Sequence, residues 1–227
     1  MPEEKKSNVD TWLDEQTDHK QTALENASKY FDTDDSLTAH TLEAIYGQES
    51  SFGKDRRSRG MNGAAGDFQM EKATAKRMGL TVTKENDQRF DIDDASAAEA
   101  KYLKKIDAFF SNETKLIKGL STVPVTDFNE RKKFDIAALN AGEGRIARAQ
   151  QAAKKAGEDP TKWKNVEKYL EEAGATQEKA NEIRDFVKKV IGYEKEFSQK
   201  SPLNKDAKHG KPSPIKAKSK KGHWITK

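Results

Sequence analysis

Leu37-Thr38-Ala39-His40-Thr41-Leu42-Glu43-Ala44-Ile45-Tyr46-Gly47-Gln48-Glu49-Ser50 is the stretch on which the reading of this chain turns. Leu42, Ile45 and Glu49 stand at i, i+3 and i+7, so a carboxylate shares the apolar stripe of a helix running to about Ser50. It falls near the helix C-terminus, where the macrodipole is negative and opposes a second negative charge. Partial desolvation and the dipole both raise a carboxyl pKa, which is what a general acid working near neutrality requires. On geometry alone the signal is weak, because the chain carries 38 acids and most acids on helices are solvated or cap an end. Just upstream, Asp32-Thr33-Asp34-Asp35-Ser36 reads as a helix stop followed by N-cap residues.

Working outward, the pattern stays helical. Val9, Trp12, Leu13, Ala23, Leu24, Ala27, Tyr30 and Phe31 recur at spacings of three and four, which predicts one or two amphipathic helices. Residues 53–66 hold four of the fourteen glycines and read as a loop. Helical patterning resumes over 70–78, with Gly79 as a C-cap. A strong helix is predicted over 94–110, with Ala97, Ala98, Tyr102, Leu103, Ile106 and Phe110 on one stripe. Only 118–126 has a β flavour. Further helices are predicted at about 128–140, 144–156, 163–172 and 177–197. Trp12, Phe31 and Trp163 read as core residues. The fold class is all-α, with a body over roughly 8–200. It divides into an N-terminal helical extension (1–35), a main domain (36–200) and a Lys-rich tail (201–227), too polar to bury a core and therefore expected to be flexible.

Composition narrows the function classes. Of 227 residues 33% are hydrophobic and 35% charged, the latter well above the roughly 25% of an average soluble domain. No window approaches the ~18 uninterrupted apolar residues of a spanning helix, so no transmembrane segment is expected. The absence of Cys excludes disulfides, thiolate metal sites and a cysteine nucleophile. His19, His40, His209 and His223 form no metal spacing, and neither a metal nor a cofactor is expected. Met1–Trp12 has no apolar h-region, so no signal peptide is expected. The net charge of +4 hides an asymmetry: residues 203–227 carry eight Lys and one acid, Asp206, leaving the remainder at −3. A slightly acidic body argues against specific nucleic-acid binding. The basic tail suits an anionic polymer, such as wall teichoic acid or acidic lipid, or a docking partner in a secretion or phage particle.

The blocks downstream of the α-helical stretch sharpen the reading. Glu49-Ser50-Ser51-Phe52 is succeeded by Gly63-Ala64-Ala65-Gly66-Asp67-Phe68-Gln69-Met70, then Ala73-Thr74-Ala75, then Ala137-Ala138-Leu139-Asn140-Ala141-Gly142, and last Glu182-Ile183-Arg184-Asp185-Phe186-Val187. These ordered blocks, across about residues 36–197, resemble the soluble lytic transglycosylase family, a lysozyme-like group related to goose-type lysozyme. The resemblance implies a lysozyme-like helical domain with a groove for the glycan strands of peptidoglycan, acting outside the cytoplasm. It places the catalytic acid at Glu49 and requires no cofactor. Such enzymes depart from the two-carboxylate glycosidase scheme: one Glu acts as acid, then base, and leaves a 1,6-anhydro sugar. The resemblance also assigns substrate-binding roles to Ser50, Ser58, Gly63, Gly66, Gln69, Met70, Asn140 and Phe186. Ser50 is expected to fix the helix end, and Ser58 competes with Gly60 for the position near the acid because of a two-residue insertion. Four departures stand out. Leu139 and Phe186 replace two family tyrosines, Glu71-Lys72 replaces Met-Pro, and Asp67 occupies a position that is commonly apolar. They leave three outcomes open: a lyase, a goose-type hydrolase of the same bond, or a non-catalytic glycan-binding or assembly protein of the same fold.

Overall fold

The computed structural model describes residues 6–57 and 63–203. The order is α1 (Asn8–Leu13), α2 (Asp18–Ser28), α3 (Ala39–Ser50), β1 (Ala64–Ala65), β2 (Met70–Glu71), α4 (Lys72–Arg77), α5 (Ile92–Ser111), β3 (Lys115–Ile117), β4 (Leu120–Ser121), α6 (Phe128–Ala141), α7 (Glu143–Lys155), α8 (Trp163–Val166) and α9 (Gln177–Lys200). The all-α expectation holds; the two β pairs are antiparallel and two or three residues long.

Side-chain oxygens set most helix starts. Ser7 and Thr38 form capping boxes with Asp10 and Thr41, while Thr17, Asp91, Asp127 and Thr176 cap α2, α5, α6 and α9. The N-cap of α3 is therefore Thr38, two residues beyond the Asp32–Ser36 run read from sequence. Ser36 is used elsewhere: its hydroxyl donates to Asp135 Oδ2 at 2.6 Å. Three other readings need adjustment. Met70 belongs to a strand, and the helix begins at Lys72, because the backbone at 70–71 pairs back to 64–65. The expected helix over 163–172 is one α turn followed by a 3-10 turn over 167–169. The β-flavoured stretch starts earlier than read, pairing 115–117 with 120–121 around Gly119.

α5 lies against α2 and α6, and α9 against α3 and α6, so the long helices wrap one core. Val9, Trp12, Leu24, Leu42, Ile45, Leu103, Ile106, Phe134, Trp163, Ile183 and Phe197 share a single buried cluster. α1 and α2 thus bury their apolar faces in the same core as the later helices. Trp12 lies over Gly47 so closely that a Cβ there would meet its ring at 2.4 Å. Glu194 of α9 joins three helices, accepting from Thr38 and Thr41 at 2.9 and 2.8 Å and from Lys132 of α6 at 2.6 Å. The tail beyond Leu203, with His209 and His223, lies outside the described residues.

Candidate active site

A groove of about 960 Å³ runs across the end of α3. Its walls come from the β1–β2 hairpin, α5, the α6–α7 junction and one face of α9. Glu49 sits in the last turn of α3, half-buried, and lines the groove. The helix stops because Ser51 and Phe52 both take left-handed backbone, at φ 50° and 61°, with Gly53 next at 88°. The Ser51 N–H still reaches Gly47 O at 2.9 Å, and Phe52 turns under the fold to pack against Tyr46, ring centroids 4.5 Å apart and tilted by 35°. Ser50 serves this turn. It is buried, donates to Tyr46 O at 3.2 Å and accepts from Gly53 N at 3.0 Å, and it does not line the groove.

The hairpin carries Gln69 and Met70 to the opposite wall. Gly66 opens its turn at φ +82°, and a Cβ there would lie 1.8 Å from Arg89 O, so only glycine fits. Gln69 closes the turn at φ 44°, with its amide donating to Gly66 O at 2.9 Å and Arg57 O at 3.2 Å. Its orientation is thus fixed while its side chain lines the groove. Gly63 and Gly66 shape the hairpin and are not groove-lining; Met70 is buried and lines it. Arg89, which the sequence reading missed, clamps the hairpin from behind, donating to Gly63 O at 2.7 Å and Met70 O at 3.1 Å while paired with Asp87. Asp67 is buried beneath the turn, held by the Tyr46 hydroxyl and facing Arg56 at 3.6 Å. Burial pushes its carboxyl up, and the Arg56 charge opposes the shift.

Leu139, Asn140 and Phe186 line the third wall. Asn140 Nδ2 donates to Glu182 Oε1 at 3.2 Å, tying the α6–α7 junction to α9, while its Oδ1 has no protein partner. Lys179, Glu182, Asp185 and Lys189 give α9 a charged stripe along the rim. Glu71 is exposed on the hairpin and also faces the groove. Ser58 and Gly60 lie outside the described residues.

Glu99 and Tyr102 of α5 form part of the floor, and neither was read as a site residue. Glu99 is 1% exposed. Burial first, and the Glu49 charge second, push its carboxyl well above the ordinary range. Burial also raises the Tyr102 phenol, to about 12, with Arg77 stacked over its ring. A signal was present: Glu99 shares the stripe of Ala95, Tyr102, Leu103 and Ile106, as Glu49 shares that of Leu42 and Ile45.

The profile of the transglycosylase SLT domain family matches residues 27–161, more than half of the chain. The membrane-bound lytic murein transglycosylase F of Desulfosudis oleivorans is 26% identical over 171 residues, covering 71% of this chain and 33% of that protein. The chain therefore spans about a third of the length of this curated relative. No helix among the described residues is long and apolar enough to cross a membrane. With the helical fold and the ordered sequence blocks, the profile match settles the family: this chain belongs to the transglycosylase SLT domain family, whose fold is lysozyme-like.

Proposed function

We propose that the protein is a peptidoglycan lytic transglycosylase acting outside the cytoplasm on the β-1,4 bond between N-acetylmuramic acid and N-acetylglucosamine. The observation that carries this is Glu49 at the broken end of α3, opening into a groove opposite Gln69 and Asn140. The Glu49 carboxyl protonates the glycosidic oxygen as the C1–O bond breaks. The substrate's own N-acetyl oxygen stabilises the electron-poor C1. The resulting carboxylate takes the proton of the 6-hydroxyl, whose oxygen bonds to C1 and closes the 1,6-anhydro ring. One group is regenerated through acid and base halves, as microscopic reversibility requires. With its N–H groups held by Gly66 O and Arg57 O, Gln69 offers its amide oxygen to sugar hydroxyl or acetamido N–H donors, while Asn140 offers Oδ1 and its second N–H.

Leu139 and Phe186 present apolar surface where the family resemblance implies tyrosines, so stabilisation of the site falls to other groups, with Tyr102 a phenol of the groove floor. Digestion of purified sacculi followed by mass analysis tests the reading. Anhydro-muropeptides are expected; reducing ends would establish a hydrolase, and no soluble product a non-catalytic binder. The Lys-rich segment 203–227 is proposed to hold the protein on anionic polymer near its substrate or to dock it in a secretion or phage particle.

A further inference from the structure

Behind the β1–β2 hairpin lies a second cavity, of about 390 Å³, which shares no lining residue with the groove. Neighbouring residues are divided between the two. In the loop after α3, Asp55 and Arg57 face the groove while Gly53 and Arg56 line the cavity. At the hairpin turn Gln69 faces the groove and Asp67 the cavity. The other walls include Lys20 of α2, Tyr46 of α3 and the segment 90–92 that leads into α5.

The charges of this cavity are unevenly matched. Lys20 Nζ donates to Glu15 O at 2.8 Å and to Phe52 O at 3.0 Å, which leaves one of its three N–H groups. Glu15, the acid whose charge Lys20 registers most, is paired with Lys54 at 2.8 Å, and Lys20 itself forms no ion pair among the described residues. Arg56 Nη1 donates to Phe90 O at 3.0 Å and faces Asp67 Oδ2 at 3.6 Å, beyond a good hydrogen bond. Asp67 is 1% exposed and takes the Tyr46 hydroxyl, yet its Oδ2 has no hydrogen-bond partner, an uncommon state for a buried polar atom. Asp91 is spent on capping α5, and His19 is paired with Asp93 at 2.8 Å. Two cations, Lys20 and Arg56, therefore stand against one acid, Asp67. Burial holds the Lys20 ammonium below its ordinary range against the pull of Glu15 and Asp67, and the Arg56 charge works with burial. Phe90, 38% exposed, and half-buried Ile92 add apolar surface to the wall.

We propose that this cavity is a binding site for the carboxylate end of a peptide, with Lys20 and Arg56 on the carboxylate oxygens and Phe90 and Ile92 against the last side chain. One negative charge balances the excess of one positive charge; a phosphate dianion would leave a charge over and face Asp67. The guanidinium of Arg56 presents the planar fork that matches a carboxylate. The volume lies at the lower end of the roughly 300–1,000 Å³ of small-ligand sites, which suits a chain end. The carboxylate site stands on the cavity alone, and the choice of wall peptide as its source rests on the enzymatic reading. Peptides that branch from the glycan strand supply such ends, and the cavity holds them away from the groove.

Titration of the full chain with N-acetyl-D-alanyl-D-alanine, followed by amide NMR, is expected to move the signals of Gly53, Asp67 and Phe90 and to leave those of Asn140 and Phe186 in place. The C-terminal amide of the same dipeptide lacks the charge and should bind at least about tenfold more weakly, the scale of a hydrogen bond to a charged group. Arg56→Gln should weaken binding of the acid by a similar factor. Arg56 is exposed, so this variant carries the comparison if Lys20→Gln, which also loses two carbonyl contacts, does not fold. Signals that move around the groove, equal affinity for acid and amide, or an Arg56→Gln that binds like wild type each overturn the proposal. Inorganic phosphate binding as tightly as the dipeptide would overturn the choice of a single charge. Propionate binding as tightly would overturn the peptide end as the occupant. Binding needs no turnover, so an inactive wild type that still takes the dipeptide would overturn the enzymatic reading and leave this site intact.

Discussion

Glu49 and Gly66 show how differently single residues matter here. Replacing Glu49 by Gln keeps size and polarity but removes the proton. Release of soluble fragments from sacculi should fall at least about a hundredfold, the lower end of what a positioned general acid contributes. Melting should be little changed. Undiminished release would place the acid elsewhere. Gly66 makes no such chemical contribution, yet it tolerates no side chain: its φ is +82° and Arg89 O occupies the place of a Cβ. Gly66→Ala should therefore cost about 3 kcal/mol or more, from left-handed strain plus overpacking. In a domain of this size that lowers the melting temperature by roughly 6 °C or more by calorimetry. The importance of both residues comes from where the backbone puts them.

At the scale of elements, two buried polar networks hold the helices in register. The first is the Arg89 clamp on the hairpin. Arg89→Lys keeps the charge but loses the planar fork that reaches two carbonyls and Asp87 together. Gln69 rides on that hairpin, so the variant should raise KM on sacculi several-fold with a smaller effect on kcat. An unchanged KM would mean that the hairpin holds its shape without the clamp. The second network joins α5, α6 and the segment before α3. Arg131 donates to Asp107 at 2.9 Å and to Asp34 O at 2.6 Å, while Ser36 donates to Asp135. Burial, then the Asp107 charge, raises the Asp135 carboxyl well above its ordinary range. Its folded pKa thus exceeds its unfolded one. The associated stability is fully present below the unfolded value and is lost as pH rises through the folded value. Asp135→Asn cannot ionise and should escape this loss. Urea unfolding at a series of pH values should show the variant gaining on wild type as pH rises; a constant difference would refute the assignment.

At the scale of the whole molecule, the proposed chemistry and the proposed attachment fall on different parts of the chain. The groove belongs to the helical body, and the excess positive charge belongs to residues 203–227. Removing that segment should weaken binding to anionic wall polymer, with a salt dependence that disappears along with it, while cleavage of soluble glycan fragments persists. Equal binding with and without the segment would locate attachment on the body. Within the body, α9 connects most of the parts: it packs on α3 and α6, gathers Thr38, Thr41 and Lys132 onto Glu194, and lines the groove with Phe186. Ser201, just past its end, donates to the buried Glu43 of α3 at 2.6 Å, with His40 on the other oxygen at 2.8 Å.

Local pattern carried much of this. Apolar residues three and four apart predicted the helices because helix periodicity is written in neighbours, whereas the stripe interrupted at Glu49 was a weak signal until the ordered blocks downstream singled that residue out. Composition alone located the basic tail. Where the reading slipped, the deciding partner lay far along the chain. Met70 became a strand because 64–65 return to it, and Ser36 lost its capping role because Asp135, ninety-nine residues later, takes its hydroxyl. Ser50 and Gly66 matched the family's blocks, but the folded chain spends them on a turn and a close backbone approach away from the groove. The interrupted stripe at Glu99 was equally visible in sequence, yet one helix alone could not say that this acid would share a groove floor with Glu49. Periodicity fixes which face of a helix is buried; only packing fixes what that face meets, and a carboxyl's charge depends on what it meets.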